Sequence, residues 1–457
     1  MLSISLNDLQ KINDIEFVNL AEDKFKRKHI KGISIDSRRI EPQQVFWCIK
    51  GENFDGHDFI KEVHTKNALC SVVEQRRAEE FRGLGIPLAI VPNTLHALQE
   101  LAHLHRLKYS IPVLCLTGSN GKTTTKEMLA QLLLKKMNVH KTKGNQNNQI
   151  GCPLTMLKLS EMHDIAIVEL GTNQFGEIDI LSKMVEPTHA LVTLIGDTHL
   201  EFLKDRDGVA KEKLSLFDNL KKGATVYKNL DDPYIASYDR KDLKYVTYSF
   251  ENDADYNGSY GPLDENGCGT LVVNGKTKIQ LSVPGLHNVH NALAAAAVAF
   301  DMGFNAEEVV NALESYSGYE KRMQVIKWKE VTIVNDAYNA NPASMQMAIE
   351  SVIKIKHKGK VVLALGDMNE LGSQSRQMHE QILEYALEKG IEDIYLVGQK
   401  MKEASTSIKK KQQKKINHFA DLKTLAEELV NNIKAGDILL LKGSRSMQME
   451  TIMAHLP

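Results

Sequence analysis

The sequence is poor in cysteine and tryptophan, and it lacks long apolar runs. Its 457 residues include five cysteines and two tryptophans. The cysteines are Cys48, Cys70, Cys115, Cys152 and Cys268. Their odd number and the lack of a CxxC pair argue against a disulfide framework or a zinc site, and they favour a reducing cytoplasm. No stretch approaches the roughly 20 apolar residues of a membrane span, and the N-terminus lacks the basic and apolar regions of a secretion signal.

An excess of charge of either sign is also missing. Lysine and arginine number 57 against 58 aspartate and glutamate residues, which gives a net charge of -1. Without a basic field the chain is not expected to bind nucleic acid, so its predicted partners are small molecules. We expect a cytoplasmic monomer without membrane insertion. The length exceeds what a single core holds and predicts two to four domains.

Three regions differ in their pattern of strands and helices. Residues 1–93 mix short strands with polar turns and predict a smaller N-terminal α/β domain. In residues 94–316 the apolar runs VLCLT, IAIVEL, ALVTLI and ATVYKN alternate with helical segments, which predicts a central, mostly parallel sheet with helices on both faces. Residues 253–283 predict a β-meander or long loops. Residues 317–457 repeat the alternation and predict a C-terminal Rossmann-like α/β domain, in which the lysine run at 409–415 forms a solvated loop or helix end.

The segment VLCLTGSNGKTTTKEMLAQLLL joins an apolar strand to a helix through a glycine-rich turn. Such a turn directs backbone N–H groups at an anion. In this pattern Lys122 neutralises the outer phosphates and the Thr123 hydroxyl binds magnesium. Leu116 stands where the longer form of the motif has glycine, so this is the shorter GxxGKT form. The predicted phosphate-binding residues are Gly118, Ser119, Asn120, Gly121, Lys122, Thr123 and Thr124.

Motifs along almost the whole chain resemble those of the Mur ligases. They are DSRRI and VFWCIKGENFDGHDFI in the first region, GNQNNQIGCP, GDTHLEF and GLHNVHNALAAAA in the second, and NDAYNANPASM, LGDMNELG and KGSRSMQME in the third. The last three are most similar to the members that add D-alanyl-D-alanine. The resemblance implies a ligase that uses ATP and magnesium to join this dipeptide to UDP-N-acetylmuramoyl-tripeptide through an acyl phosphate.

The resemblance also implies catalytic and metal-binding residues. Glu169 ends an apolar strand, where open α/β sheets bind ligands, and it is expected to bind magnesium together with Thr123. His199 is expected to help hold a second magnesium ion, although hard cations prefer oxygen ligands. A lysine near His199 is expected to carry a carbamate formed with CO2, which requires a neutral amine. Lys213 fits the family register better than Lys211, and both stay candidates.

The remaining site residues follow from the same motifs. Expected nucleotide contacts are Asn288, Asn291, Arg322, Asp336 and Asn339, with His287 beside them. Ser37 and Arg38 resemble a pair that contacts the UDP group. Expected contacts of the muramoyl peptide are Asn145, Asn147 and Asn148. Tyr338 and Asn341, together with Asn339, are expected to line the nucleotide or acceptor pocket. Residues expected to bind the acceptor dipeptide are Asp367, Asn369, Ser444 and Arg445, of which Arg445 suits its free carboxylate.

Other functions are compatible with parts of this pattern. A sister ligase that adds the third amino acid, or a folate- or cyanophycin-type ligase, would share the phosphate loop and the domain order. A kinase or a nucleotide-gated interaction protein would share the phosphate loop alone. The sequence does not decide whether the third residue of the tripeptide is lysine or diaminopimelate. Because acyl phosphates hydrolyse in water, we also expect a hinge near residue 317 that closes the site.

Overall fold

The computed structural model describes residues 4–21, 30–409 and 415–456. Residues 410–414, within the lysine run, lie outside the described residues. The described chain forms three sheets, of five, nine and six strands, each built from residues of one predicted region. This confirms the predicted three-domain α/β class with mostly parallel sheets, while the boundaries at residues 93 and 316 stay predictions. Among the described residues, no helix combines the length and the apolar character that a membrane span requires.

The N-terminal sheet has the strand order β1-β5-β4-β3-β2, with β1 antiparallel to β5 and the other pairs parallel. Its strands are β1 Glu16–Val18, β2 Ile33–Ser34, β3 Val45–Trp47, β4 Cys70–Glu74 and β5 Leu88–Val91. The helices of this part of the chain are α1 Leu6–Leu9, α2 Ile60–Thr65, α3 Gln75–Arg82 and α4 Thr94–Arg106. Helix α4 contacts β3, since Trp47 Nε1 donates a buried hydrogen bond of 2.7 Å to the Thr94 carbonyl, and its apolar side chains share a core with residues of the central sheet.

The central sheet has the order β14-β13-β12-β11-β10-β9-β6-β8-β7. Its strands are β6 Val113–Thr117, β7 Val139–Lys141, β8 Ile165–Glu169, β9 His189–Val192, β10 Thr225–Asn229, β11 Lys244–Ser249, β12 Tyr256–Tyr260, β13 Cys268–Val273 and β14 Thr277–Pro284. Its helices are α5 Lys122–Leu133, α6 Gly151–Met156, α7 Glu177–Val185, α8 Leu200–Leu203, α9 Arg206–Asp218, α10 Pro233–Ser237, α11 Leu286–Asp301 and α12 Ala306–Glu314. Strands β12 to β14 form the predicted meander, since they pair antiparallel.

Two features of the central region position its site. The predicted strand ALVTLI ends early, at Val192. The chain turns there to pack on the phosphate loop, where Ser119 N donates to the Leu194 carbonyl at 2.9 Å and Gly196 N donates to Ser119 Oγ at 2.8 Å. The alanine-rich helix α11 packs along α5, and its alanines from Ala292 to Ala299 are almost fully buried. Helices α5 and α11 therefore share one tightly packed core.

The C-terminal sheet has the order β15-β16-β20-β17-β18-β19, parallel except for the β15–β16 pair. Its strands are β15 Gln324–Trp328, β16 Val331–Asn335, β17 Val361–Gly366, β18 Asp393–Val397, β19 Ile416–Phe419 and β20 Ile438–Lys442. Its described helices are α13 Pro342–Lys354, α14 Ser375–Glu388, α15 Gln399–Ser407 and α16 Leu422–Asn432. Apolar side chains on both faces of this sheet are buried by these helices, which accounts for the continuous apolar runs of β17 and β20.

Candidate functional site

A cavity of about 1020 Å³ lies between the central and C-terminal sheets. Many of its lining residues follow the carboxyl ends of three adjacent central strands, β6, β8 and β9. Others follow the carboxyl ends of three adjacent C-terminal strands, β16, β17 and β20. Such strand ends are where open α/β sheets bind ligands. The predicted site residues that line the cavity are Ser119, Asn120, Gly121, Lys122, Thr124, Asn145, Asn147, Asn148, Glu169, His199, His287, Asn288, Asn291, Arg322, Asp336, Tyr338, Asn339, Asn341, Asn369, Ser444 and Arg445.

The phosphate loop follows β6, and at its two glycines there is no room for a side chain. Gly118 has φ of 147°, and a Cβ there would lie 1.9 Å from Thr193 Oγ1. Gly121 has φ of 83°, and a Cβ there would lie 2.3 Å from Asn291 Oδ1. Both the backbone conformation and the space exclude a side chain. The loop therefore brings bare peptide groups to the start of α5, as an anion-binding turn requires.

Lys122 is the first residue of α5 and lies inside the loop. Its Nζ donates a 2.5 Å hydrogen bond to the Gly118 carbonyl, so the ammonium is held against the turn that faces the cavity. Burial lowers the pKa of Lys122 to about 8, although the nearby Glu169 carboxylate opposes this effect. A cation at this position neutralises phosphate oxygens.

Glu169 ends β8 with 2% of its surface exposed. Its Oε1 accepts hydrogen bonds from Thr123 Oγ1 at 3.2 Å and from Asn147 Nδ2 at 2.9 Å. Its Oε2 lies 3.4 Å from Nζ of the fully buried Lys126. Burial alone would raise the pKa of Glu169, but the charges of Lys126, Arg322 and Lys122 outweigh it and lower the pKa.

The surroundings of Glu169 fit a magnesium ion. Within the described ranges, no group of three or more His, Cys, Asp or Glu residues is placed to hold a metal. Phosphate-loop proteins need fewer protein ligands, since one hydroxyl, one carboxylate, phosphate oxygens and water complete the shell. Thr123 and Glu169 supply such a pair. Glu169 Oε2 and Lys126 Nζ form an ion pair at 3.4 Å, but neither buried atom has a hydrogen-bond partner, so the carboxylate can still accept a ligand.

His199 and Lys213 lie on the other side of the loop. The His199 side chain is 17% exposed, and its Nδ1 lies 2.5 Å from Glu370 Oε2. Burial lowers the pKa of His199 despite the hydrogen bond to Glu370. Lys213 is 1% exposed, and burial, with the charge of Lys122, holds its pKa well below the usual value. Lys211 is exposed. Burial therefore favours Lys213 over Lys211 as the lysine that becomes a neutral amine.

Side chains from the C-terminal region reach across to the phosphate loop. Arg322 Nη2 donates a 2.9 Å hydrogen bond to Thr123 Oγ1, and its guanidinium lies 4.0 Å from the centre of the Tyr338 ring. The amides of Asn341 and Asn120 pair with each other, at 2.9 Å and 3.4 Å. The two sheets are thus in contact around the loop, and the predicted opening at a hinge near residue 317 stays a prediction.

The predicted nucleotide contacts line the far part of the cavity. Asn288 Nδ2 donates to the Pro284 carbonyl at 2.8 Å, and Asn291 Nδ2 donates to Asn288 Oδ1 at 3.3 Å. His287 Nδ1 is buried without a hydrogen-bond partner. Asp336 is fixed by the Met323 N–H at 3.0 Å and by the buried Lys442 ammonium at 2.5 Å. This arrangement gives donors and acceptors suited to a purine edge and a ribose.

Six predicted residues do not line the cavity. Gly118, Thr123 and Lys213 lie behind its surface, and Ser37 and Arg38 lie in the N-terminal region. The Arg38 side chain is 84% exposed and forms a 2.9 Å ion pair with Asp36. Asp367 accepts hydrogen bonds from the backbone N–H groups of Lys400 and Met401, so it caps α15 rather than facing the cavity. Their proposed roles in binding stay predictions.

Three residues near the site were not predicted from the sequence. Lys126 is buried against Glu169, Lys442 fixes Asp336, and Glu370 contacts His199. Lys126 stands four residues after Lys122 on α5, so helical spacing could have placed it near the loop. Glu370 lies in LGDMNELG and Lys442 in KGSRSMQME, next to residues that were predicted. No local signal indicated their partners.

The chain matches three domain descriptions of one family. They are "Mur ligase family, catalytic domain" at residues 29–106, "Mur ligase middle domain" at residues 116–299 and "Mur ligase, glutamate ligase domain" at residues 321–445. Among curated relatives, UDP-N-acetylmuramoyl-tripeptide--D-alanyl-D-alanine ligase of Bacillus subtilis is 33% identical and covers 96% of this chain and 95% of its own. The protein of the same name in Escherichia coli is 31% identical over 100% of this chain and 99% of its own.

Solved structures of the same family have a similar fold. A MurF crystal structure from Acinetobacter baumannii is 30% identical, with a TM-score of 0.88 over 99% of this chain and 98% of that one. A MurF ligase from Thermotoga maritima in complex with ADP is 27% identical, with a TM-score of 0.82 over 93% of this chain and 97% of that one. A diaminopimelate ligase is 18% identical with a TM-score of 0.54, a likeness that concerns the fold alone.

Proposed function

Because this chain belongs to the Mur ligase family, we propose that it joins D-alanyl-D-alanine to UDP-N-acetylmuramoyl-tripeptide at the expense of ATP. It is an ATP-dependent ligase that forms a peptide bond and uses magnesium, in peptidoglycan biosynthesis. The observation that carries the proposal is the cavity in which the phosphate loop, Glu169 and Arg322 face the carboxyl ends of the C-terminal strands.

The first step transfers a phosphoryl group. An oxygen of the tripeptide carboxylate attacks the γ-phosphorus of ATP, the bond from that phosphorus to the β,γ-bridging oxygen breaks, and ADP leaves. Lys122, the loop N–H groups and Arg322 bind and orient the phosphates. Magnesium, when bound by Thr123 and Glu169, offsets negative charge on the transferring group. Lys126 balances the charge of the Glu169 carboxylate from the side opposite Thr123.

The second step forms the amide. The dipeptide nitrogen attacks the acyl carbon, the bond from that carbon to the phosphate oxygen breaks, and phosphate leaves while the nitrogen loses its protons. The residues around Asn369, Ser444 and Arg445 line the C-terminal side of the cavity and are suited to hold the dipeptide. Contacts between the two sheets exclude water, which would otherwise hydrolyse the acyl phosphate.

The finer assignments belong to the same proposal. Lys213 becomes a carbamate that, with His199, helps hold a second magnesium ion; its burial and depressed pKa support this chemistry. Ser37 and Arg38 contact the UDP group, and Asn145, Asn147 and Asn148 contact the muramoyl peptide. The protein acts in the cytoplasm as a monomer.

The test is a phosphate-release assay with a panel of amines. Purified protein is given ATP, magnesium, UDP-N-acetylmuramoyl-tripeptide ending in lysine or diaminopimelate, and one amine at a time. We expect release of ADP and phosphate, and a pentapeptide product by mass spectrometry, with D-alanyl-D-alanine as the preferred amine. In a parallel reaction the UDP-linked dipeptide replaces the tripeptide, and activity there with a single amino acid would instead identify a sister ligase.

A further inference from the structure

A zwitterionic dipeptide needs two oppositely charged partners in the acceptor site. Arg445, which is half exposed and pairs with Glu450 through Nη1, offers a cation for the carboxylate, and the cavity must also hold the ammonium close to the acyl carbon. Carboxylates are the groups that bind an ammonium by charge-assisted hydrogen bonds. The acidic residues that line the cavity are Glu169, Glu177, Asp231, Glu320, Asp336, Glu350 and Glu370.

Most of these carboxylates are already engaged. Glu169 is bound by Thr123 and Asn147, and Asp336 is bound by Lys442 and the Met323 N–H. The Glu177 carboxylate accepts hydrogen bonds from the backbone N–H groups of residues 173 and 174, and the Asp231 carboxylate accepts them from those of residues 250 and 251. Glu350 accepts a hydrogen bond from Tyr385. Two carboxylates remain to be compared: Glu320, and Glu370, which contacts His199 through Oε2 and keeps its other oxygen without a described donor.

Glu370 is the one that stands beside the acceptor residues. Three hydrogen bonds join its turn to the turn that carries Arg445: Asn369 N to Ser444 Oγ at 2.8 Å, Asn369 Nδ2 to Ser446 Oγ at 2.8 Å, and Ser444 N to the Asp367 carbonyl at 2.9 Å. Glu370 directly follows Asn369, and Arg445 directly follows Ser444, so each is next to a residue that forms these hydrogen bonds. No described hydrogen bond or ion pair joins the exposed Glu320 to either turn.

Glu370 also lies against the reaction centre. Its Oε2 contacts His199 Nδ1 at 2.5 Å, and its carbonyl accepts a 3.2 Å hydrogen bond from Glu201 N. Among the described residues, none donates to its other oxygen, Oε1, and its side chain is 37% exposed in the cavity wall. Glu370 has φ of 63° and His199 has φ of 55°. Such left-handed conformations in residues other than glycine persist where the surroundings fix them, and they concentrate at functional sites.

We propose that Glu370 binds the ammonium group of the acceptor dipeptide and, through its contact with His199, places the nitrogen next to the phosphate loop. Arg445, on the adjacent turn, would then bind the carboxylate at the other end of the dipeptide, which spans roughly 7 Å when extended. The inference rests on the proposed ligase function and deepens it, because it names the residue that selects an amine acceptor.

The experiment separates the acceptor from the first step. Each variant is given ATP, magnesium and UDP-N-acetylmuramoyl-tripeptide, with either D-alanyl-D-alanine or hydroxylamine as the nucleophile. Hydroxylamine is uncharged at neutral pH and traps the acyl phosphate as a hydroxamate without needing an ammonium site. The variants are Glu370→Gln, Glu370→Asp, Glu320→Gln as the competing carboxylate, and Glu388→Gln as an exposed control on α14.

We expect Glu370→Gln to raise KM for the dipeptide about tenfold or more while hydroxamate formation stays within about twofold of wild type. Glu370→Asp should give a smaller increase, and Glu320→Gln and Glu388→Gln should change neither rate. An unchanged dipeptide KM in Glu370→Gln overturns the inference. So does an equal loss of hydroxamate and pentapeptide, because Glu370 would then act on the first step through His199. Wild-type protein that makes neither product overturns the ligase function itself.

Discussion

The phosphate loop and the C-terminal rim of the cavity, defined here as Arg322, Tyr338, Asn341 and Glu370, build the same site in different ways. The loop is local: residues 118 to 124 fold on β6, α5 and the neighbouring turn after β9, and they bring backbone N–H groups and one lysine. The rim is assembled from separate turns, and the side chains of Arg322, Asn341 and Glu370 contact residues that lie 171 to 221 positions away in the chain.

This difference suggests different roles for the two regions: the loop anchors the nucleotide, and the rim completes the site. The contacts that fix the loop conformation lie within the central region, so we expect the loop to bind phosphate whether or not the C-terminal sheet is in contact with it. The rim contributes only when the two sheets are in contact. Substitutions on the loop side should therefore abolish turnover or nucleotide binding, whereas substitutions in the rim should lower the turnover rate only in part.

The strongest test of the loop side is Lys213→Ala. If Lys213 carries a carbamate that binds magnesium, turnover should fall by about 100-fold or more, and small carboxylates such as acetate should restore part of it. Initial rates of phosphate release measure both effects. Lys211→Ala is the matched control, since Lys211 is exposed on the same helix. Near-normal turnover in Lys213→Ala would remove the carbamate role.

The charge of Lys122 predicts a pH dependence. Its pKa of about 8 in the folded protein means that the ammonium loses its proton as pH rises past 8. Bound phosphate stabilises the charged form, so affinity for ADP should fall with rising pH above 8, by up to about tenfold per pH unit. Calorimetric titration from pH 6.5 to 9.5 tests this. Lys122→Met should show a flat profile, and a slope that persists in that variant would assign the titration to another group.

Gly121 and Gly390 have nearly the same φ but different space around them, so together they test whether a side chain is excluded from the loop. Gly121 has φ of 83° and Gly390 has φ of 82°, but a Cβ at Gly390 meets nothing within 4 Å, whereas one at Gly121 meets Asn291. Gly390→Ala reports backbone strain alone. Gly121→Ala should lower the free energy of unfolding by about 1–3 kcal/mol more, measured by urea denaturation. Equal losses would mean that Asn291 moves aside at little cost.

Tyr338 tests the rim. Its ring supports the Arg322 guanidinium at 4.0 Å, an interaction of about 0.5–2 kcal/mol. Tyr338→Leu should therefore lower kcat by roughly 3- to 30-fold, while Tyr338→Phe keeps the ring face and most of the rate. Affinity for ADP should change little in either variant, since the loop holds the phosphates. A large loss of ADP affinity in Tyr338→Leu would show that the rim also anchors the nucleotide.

The sequence predicts what local chemistry determines. The apolar runs of β6, β8 and β17 and the glycines and lysine of the loop follow from short-range rules, and the structure places them as expected. Short strands such as β1, β2, β15 and β19 were not predicted, because two to five partly exposed residues leave a weak pattern.

The remainder of the site depends on tertiary packing. Lys211 and Lys213 stand two residues apart on α9 and therefore face different sides, but only the packed structure tells which side is buried. The contact between His199 and Glu370 joins residues 171 positions apart, and nothing near either residue in the sequence indicates the other. Motif resemblance found Arg322 and Asn341 but could not give their contacts.

The alanine-rich packing of α11 against α5 has a consequence for how the site varies over time. Alanine has no side-chain rotamers, so the α11 side of this interface offers no alternative side-chain arrangement, and the larger side chains come from α5. The small side chains of α11 leave few ways for the separation of the two helices to vary. Lys122 is the first residue of α5, and Asn288 and Asn291 lie in the first two turns of α11. If Lys122 binds the phosphates and Asn288 and Asn291 bind the base, as proposed, the distance between these two binding positions is set by the helix pair itself.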